Sequence, residues 1–125
     1  MPVTVGLRGQ CELQVGEDDT AIALGSGDVP VLGTPRVVAL AESASVAAVA
    51  GALDPGQTTV AQQVQLDHLA PTAVGGTVVA ESTVEKVNGR RITFTVSLND
   101  ERGLVAVGRV TRVVVDVERF LDKTR

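Results

Sequence analysis

Three side chains break the pattern of their surroundings and could do chemistry: Thr34, Glu42 and His68. Glu42 stands inside an almost wholly apolar run, with Val37 to Ala41 before it and Ala44 to Ala52 after it. A carboxylate there is costly unless it is paired, hydrogen-bonded or neutralised. The plainer reading puts it on one exposed stripe with Arg36, Ser43 and Ser45. His68 is the only histidine and ends an alternating apolar stretch. Its side chain type titrates near neutrality and suits proton transfer, while a hydrogen-bonded core histidine is the commoner case. Thr34 precedes Pro35, where an N-cap is expected. A helix start also offers free N–H groups and partial positive charge to a developing oxyanion.

Other chemistry finds little support. One His and one Cys make no structural zinc site, and no metal is expected. Gly25, Gly27 and Gly33 do not follow the strand–glycine–helix order of a phosphate-binding loop. Cys11 is the single cysteine, so no internal disulfide is possible. It is expected as a half-buried strand residue.

The elements that must position these groups follow from periodicity. Alternation within 3–15, clearest over Gln10 to Val15, predicts a first strand. Ala21 to Leu24 is a short apolar piece, and 25–30 reads as a loop. One helix is expected over about 35–52, capped by Thr34 and stopped by Asp54-Pro55-Gly56. Its apolar surface runs nearly all round, so it is a buried helix rather than a membrane span. Its alanines let other backbone approach closely.

Beyond the helix the period becomes two. Val60, Gln62, Val64, Leu66 and His68 share one face by strict alternation; Ala61, Gln63, Gln65 and Asp67 share the other. Asp67 therefore points away from His68. Val78, Ala80, Ser82 and Val84 make a further inward face. Asn88-Gly89 signals a tight hairpin, and Ile92, Phe94, Val96 and Leu98 alternate after it. The last strand runs from about Leu104 to Val117. One buried helix and five antiparallel strands make an α+β two-layer domain. Residues 1–125 read as a single domain with no internal repeat or linker.

Composition agrees. The chain has 125 residues, 44% hydrophobic, with two Phe and neither Trp nor Tyr. Val, Ala, Leu and Ile must therefore build the core. A formal net charge of −4 and scarce aromatics argue against nucleic acid as a partner. The one local cluster of positive charge is Lys86, Arg90 and Arg91. The absence of a signal-like start and of a disulfide makes the cytoplasm the expected location, with no membrane partner.

The ordered set Val31-Leu32-Gly33-Thr34-Pro35, Ala39-Leu40-Ala41-Glu42, Thr58-Thr59-Val60, and Asp67-His68-Leu69-Ala70-Pro71-Thr72 with Gly75 resembles the fluoroacetyl-CoA thioesterase-like family of hot-dog proteins. Thr34 and Glu42 are eight residues apart and Glu42 and His68 twenty-six, as in that family's Thr, Glu and His set. The resemblance implies a five- or six-stranded antiparallel sheet wrapped on one long central helix. It implies hydrolysis of acyl-CoA, with coenzyme A part of the substrate and no further cofactor. It implies a homodimer, or a tetramer built from it, with active sites near the subunit interface. Thr34 would hydrogen-bond or attack, Glu42 would be nucleophile or base, and His68 the acid/base partner. Gly33, Ala61 and Arg112 would line or support the substrate site. Two departures count against fluoroacetyl-CoA itself: the 25–30 loop lacks the aromatic lid residues, and Ala61 replaces a glycine. A hot-dog protein that binds acyl-CoA or acyl carrier protein without turnover is the alternative reading.

Overall fold

The computed structural model describes residues 2–125. Five strands form one antiparallel sheet: β1 (Arg8–Gln14), β2 (Gln57–His68), β3 (Thr77–Asn88), β4 (Arg91–Asp100) and β5 (Gly103–Asp116). Their order across the sheet is β1-β3-β4-β5-β2. The strands joined by tight turns, β3 to β4 and β4 to β5, are neighbours. The long connection from β1 crosses the sheet and carries α1 (Ala21–Leu24) and α2 (Thr34–Val49). A 3-10 turn at Ala50–Ala52 extends α2. A short helix, α3 (Val117–Asp122), follows β5 and was not expected from the sequence.

The helix α2 packs chiefly on β1 and β3. Its segment 34–52 has the length and hydropathy of a membrane span. Its Val37, Leu40, Ala41, Ala44, Ala48 and Val49 are instead buried in the core. Alanine makes this possible: a Cβ on Gly9 of β1 would collide with the backbone of Ala44 and Ala48. Two small-residue surfaces thus bring helix backbone against strand backbone. The sheet side of the core is the expected alternation: Val78, Ala80, Ser82 and Val84 on β3, and Ile92, Phe94, Val96 and Leu98 on β4, all buried. Each larger aliphatic or aromatic side chain buried there contributes roughly 1.5–3 kcal/mol. Ser82 is tolerated because its hydroxyl shares a 2.9 Å hydrogen bond with Ser45 of α2.

Three sequence expectations need correction. The N-cap of α2 is Gly33, with extended φ −79° and ψ 145°, and Thr34 is the first helical residue. The β3–β4 hairpin closes through Gly89-Arg90, with Asn88 and Arg91 paired. Gly89 has φ +63°, at the first central position of a two-residue turn, where only glycine is unstrained. Most consequentially, β2 contains a bulge: Ala61 pairs with Arg112 and Gln63 with Thr111. The extra residue, Gln62, reverses the alternation. Thr59 and Ala61, not Val60 and Gln62, therefore share the concave face with Val64, Leu66 and His68.

Candidate active site

Four of the six sequence-selected residues fall into two pairs, each joining α2 to that concave face at a separate place. The first pair is Thr34 and His68. The chain just before α2 is sewn to the chain just after β2: Val31 bridges Ala73, and Leu32 N donates to Thr72 O at 2.8 Å. Arg36 also pairs with Asp19 at 2.9 Å, fixing the helix start to the preceding turn. These ties bring the first residue of α2 to the last residue of β2. Thr34 Oγ1 and His68 Nδ1 lie 2.7 Å apart. With the ring proton on Nε2, the hydroxyl donates to Nδ1. Nε2 is buried and has no partner among the described residues. A buried ring nitrogen left unpaired costs free energy and needs a partner from elsewhere.

The second pair is Glu42 and Arg112. Arg112 Nη1 donates to Glu42 Oε2 at 3.0 Å. Its Nε donates to Thr59 Oγ1 at 2.9 Å and its Nη2 to Thr59 O at 2.8 Å. The Arg112 side chain is 7% exposed and that of Glu42 33%. Glu42 thus lies at the helix margin, neither fully buried nor on a free surface stripe. Its Oε1 takes no hydrogen bond among the described residues. Thr59 was missed as a site residue, although it is what fixes the guanidinium plane. No single-residue signal marks it, because only the bulge turns it inward.

Within one chain the carboxylate does not face the imidazole. Thr34 and Glu42 are ~12 Å apart along the helix axis. His68 pairs with Ala106 on β5, six residues from Arg112, so the two sheet-borne groups are ~20 Å apart. Glu42 and His68 therefore do not meet inside the chain. Gly33 is buried beside α1, where a Cβ would meet the Ala21 backbone at 3.0 Å, so packing accounts for this glycine. Ala61 is exposed on the concave face, next to Arg112 across the ladder. A shallow hollow of about 170 Å³ lies at His68, bounded by Val31, Leu69, Ala70 and Pro71. A larger cavity, about 470 Å³, lies away from His68, between the end of α2 and the β3–β4 hairpin. Cys11 is half-buried as expected; burial raises its pKa, and its thiol donates to Leu40 O at 3.2 Å. It is a poor nucleophile.

An antiparallel sheet curled on one buried helix is the hot-dog architecture, and solved structures that share it with this chain are thioesterases. A thioesterase superfamily member from Thermus thermophilus superposes with a TM-score of 0.91 at 25% identity, over 99% of this chain and 92% of the other. Within that class the chain belongs to the fluoroacetyl-CoA-specific thioesterase family, which residues 15–118 match. The fluoroacetyl-CoA thioesterase of Streptantibioticus cattleyicolor is 34% identical over 95 residues, covering 76% of this chain and 68% of that protein. A crystal structure of the fluoroacetyl-CoA thioesterase superposes with a TM-score of 0.94 at 29% identity, over 100% and 97% of the two chains. A mutant of that enzyme, crystallised with fluoroacetate and CoA, gives 0.88 at 29% identity, over 94% and 99%.

Proposed function

We propose that this protein hydrolyses small acyl-CoA thioesters, as a cytoplasmic homodimer of one thioesterase domain per chain, using Thr34, His68 and the Glu42 of a second copy. The observation that carries the reading is the 2.7 Å contact between Thr34 and His68, with the far nitrogen of the ring buried and unpaired. A hydroxyl on one side of an imidazole and a waiting position on the other is two-thirds of a nucleophile–base–carboxylate relay. The missing third is a carboxylate, and Glu42 offers one whose Oε1 is free.

The sheet supplies the means to join them. β2 is an edge strand, and its 61–63 segment is exposed, leaving a row of backbone groups to be covered. Two β2 edges pairing antiparallel about a two-fold axis set the His68 end of one against the Thr58–Ala61 end of the other. Thr59 and Ala61 sit beside Arg112, so that pairing carries Glu42 of the second copy toward Nε2 of His68. Each dimer then holds two sites, each drawing on both chains.

In the reaction, the Thr34 hydroxyl adds to the thioester carbonyl as its proton passes to Nδ1 of His68. The start of α2 presents N–H groups to the oxyanion. The C–S bond breaks, the imidazolium returns the proton to the leaving thiolate, and an acyl ester remains on Thr34. Water, deprotonated by His68, releases the acid. Glu42 of the second copy holds the ring and offsets its transient charge; Arg112, held by Thr59, aims that carboxylate. Ala61 of the second copy, beside that copy's Arg112, borders the space for the acyl group. The lone cysteine, free and unreactive, suits a reducing cytoplasm.

Free thiol release from a panel of short acyl-CoA esters tests the reading. Catalytic turnover of at least one ester, far above the uncatalysed rate, is expected. Tight binding of the panel with no thiol release would replace the reading with a non-hydrolytic binding protein.

A further inference from the structure

The convex face behind the Glu42–Arg112 half-site carries a feature the reaction above does not use. A groove of about 320 Å³ runs between the end of β5, the β3–β4 hairpin tip and α3. Val113, Val115 and Phe120 are among its apolar lining residues, and Arg90, Arg119 and Lys123 are its cations. Phe94 is fully buried in the core, so Phe120 is the aromatic side chain left near the surface. None of the three cations has an ion-pair partner among the described residues; Arg90 only reaches Val114 O at a long 3.5 Å. Asp116, the acid lining the groove, is turned to cap α3, accepting from Arg119 N at 3.1 Å. Of the two acids on α3, Asp122 pairs with Arg125 at 3.7 Å, and Glu118 does not line the groove. Lys86 and Arg91, also without ion pairs, border the adjoining hollow on the same face. A chain of net charge −4 thus gathers five cations around one hairpin tip. Such a concentration against the overall sign attracts a polyanion.

We infer that this groove holds the nucleotide end of the CoA substrate, with its phosphates on Arg90, Arg119 and Lys123 and its adenine against Phe120. The inference rests on the acyl-CoA reading above and adds where the carrier is gripped. Arginine forks match phosphate oxygens, and an aromatic side chain among apolar ones takes a purine ring. Two residues connect the groove to the concave side. Arg90 and Val114 line both this groove and the 470 Å³ cavity on the concave side. That cavity also contains Ile92, the cross-strand neighbour of Arg112. In the dimer, a pantetheine arm running from Thr34 of one chain past Glu42 of the second and under the second chain's hairpin tip would join the reacting carbonyl to these cations. An acidic carrier protein would find the same charge, but it has no ring for a concave aromatic groove.

Two measurements test this. The first compares acyl-CoA with the matching acyl-pantetheine, which lacks the nucleotide, in the wild type and in the double variant Arg119→Glu, Lys123→Glu. The wild type is expected to favour the CoA ester by tenfold or more in kcat/KM through KM. In the double variant that preference is expected to shrink toward unity, and in Arg119→Gln, Lys123→Gln to fall partway. The second titrates adenosine 3′,5′-bisphosphate calorimetrically, a readout independent of turnover. Binding by the wild type, weakened at least tenfold in the charge-reversed variant and by added salt, is expected. Thermal melting shows that the variants fold. Turnover with an unchanged CoA-to-pantetheine preference overturns the anchor and leaves the thioesterase. Nucleotide binding without turnover of any ester overturns the thioesterase and leaves the groove. A KM change confined to carrier-protein thioesters overturns the nucleotide assignment.

Discussion

His68→Ala is expected to lower kcat for acyl-CoA hydrolysis by about 10²–10⁴-fold, with KM changed little. The imidazole is the one group placed to take the Thr34 proton, at 2.7 Å, and no other titratable side chain among the described residues touches that hydroxyl. Thr34→Ala is expected to match the loss. Thr34→Ser keeps a hydroxyl at the first position of the helix and is expected to retain activity within about tenfold of wild type. Stability should barely move in the threonine variants, because Gly33, not Thr34, is the N-cap and Thr34 is exposed. Steady-state kinetics beside thermal melts separates the two readouts. A His68→Ala protein with wild-type kcat would remove the imidazole from the reaction.

The second large effect belongs to the other half-site, where chemistry and stability part company. Glu42→Gln is expected to lower kcat by about 10²-fold or more while the protein melts close to wild type. The amide oxygen still accepts from Arg112, so the guanidinium is not abandoned, but the amide has no charge to stabilise an imidazolium. Arg112→Ala is expected to lower both. Its side chain is 7% exposed and makes three hydrogen bonds, two of them to Thr59. Removing it opens a cavity and strands Thr59 and a half-buried carboxylate, a cost of about 2–4 kcal/mol. A melting temperature several degrees lower is the expected sign. Equal activity in Glu42→Gln and wild type would reduce the pair to a structural brace.

Much of the fold is legible in the sequence because its signals are local. Ile92 to Leu98 alternate without a break, Gly89 marks the hairpin, and the alanine-rich run of α2 can only be a buried helix. Thr34, Glu42 and His68 stand out because each sits where an apolar or purely structural residue would suffice. What was not legible depends on contacts across the chain. Thr34 followed by Pro35 is a sound N-cap pattern, yet Gly33 already supplies the extended cap and frees the hydroxyl for His68. The bulge in β2 is silent, since Val60, Gln62 and Val64 fit unbroken alternation as well as Thr59, Ala61 and Val64 fit the bulged strand. That one inserted residue decides which threonine holds Arg112. The Glu42–Arg112 bridge spans seventy residues, and nothing in one sequence tells which of several arginines meets the carboxylate. The start of α3 did leave a trace: Asp116, three residues before Arg119, is the N-cap the structure shows.

The central claim is that each site needs His68 from one chain and Glu42 from another, and subunit mixing tests it most directly. His68→Ala and Glu42→Ala proteins, each inactive alone, are unfolded together and refolded as a one-to-one mixture. Random pairing puts about half of the chains in mixed dimers, each with one intact and one doubly defective site, so about a quarter of wild-type activity is expected to return. A mixture as inactive as its two components would mean that both residues are needed from the same chain, or that the chains never share a site.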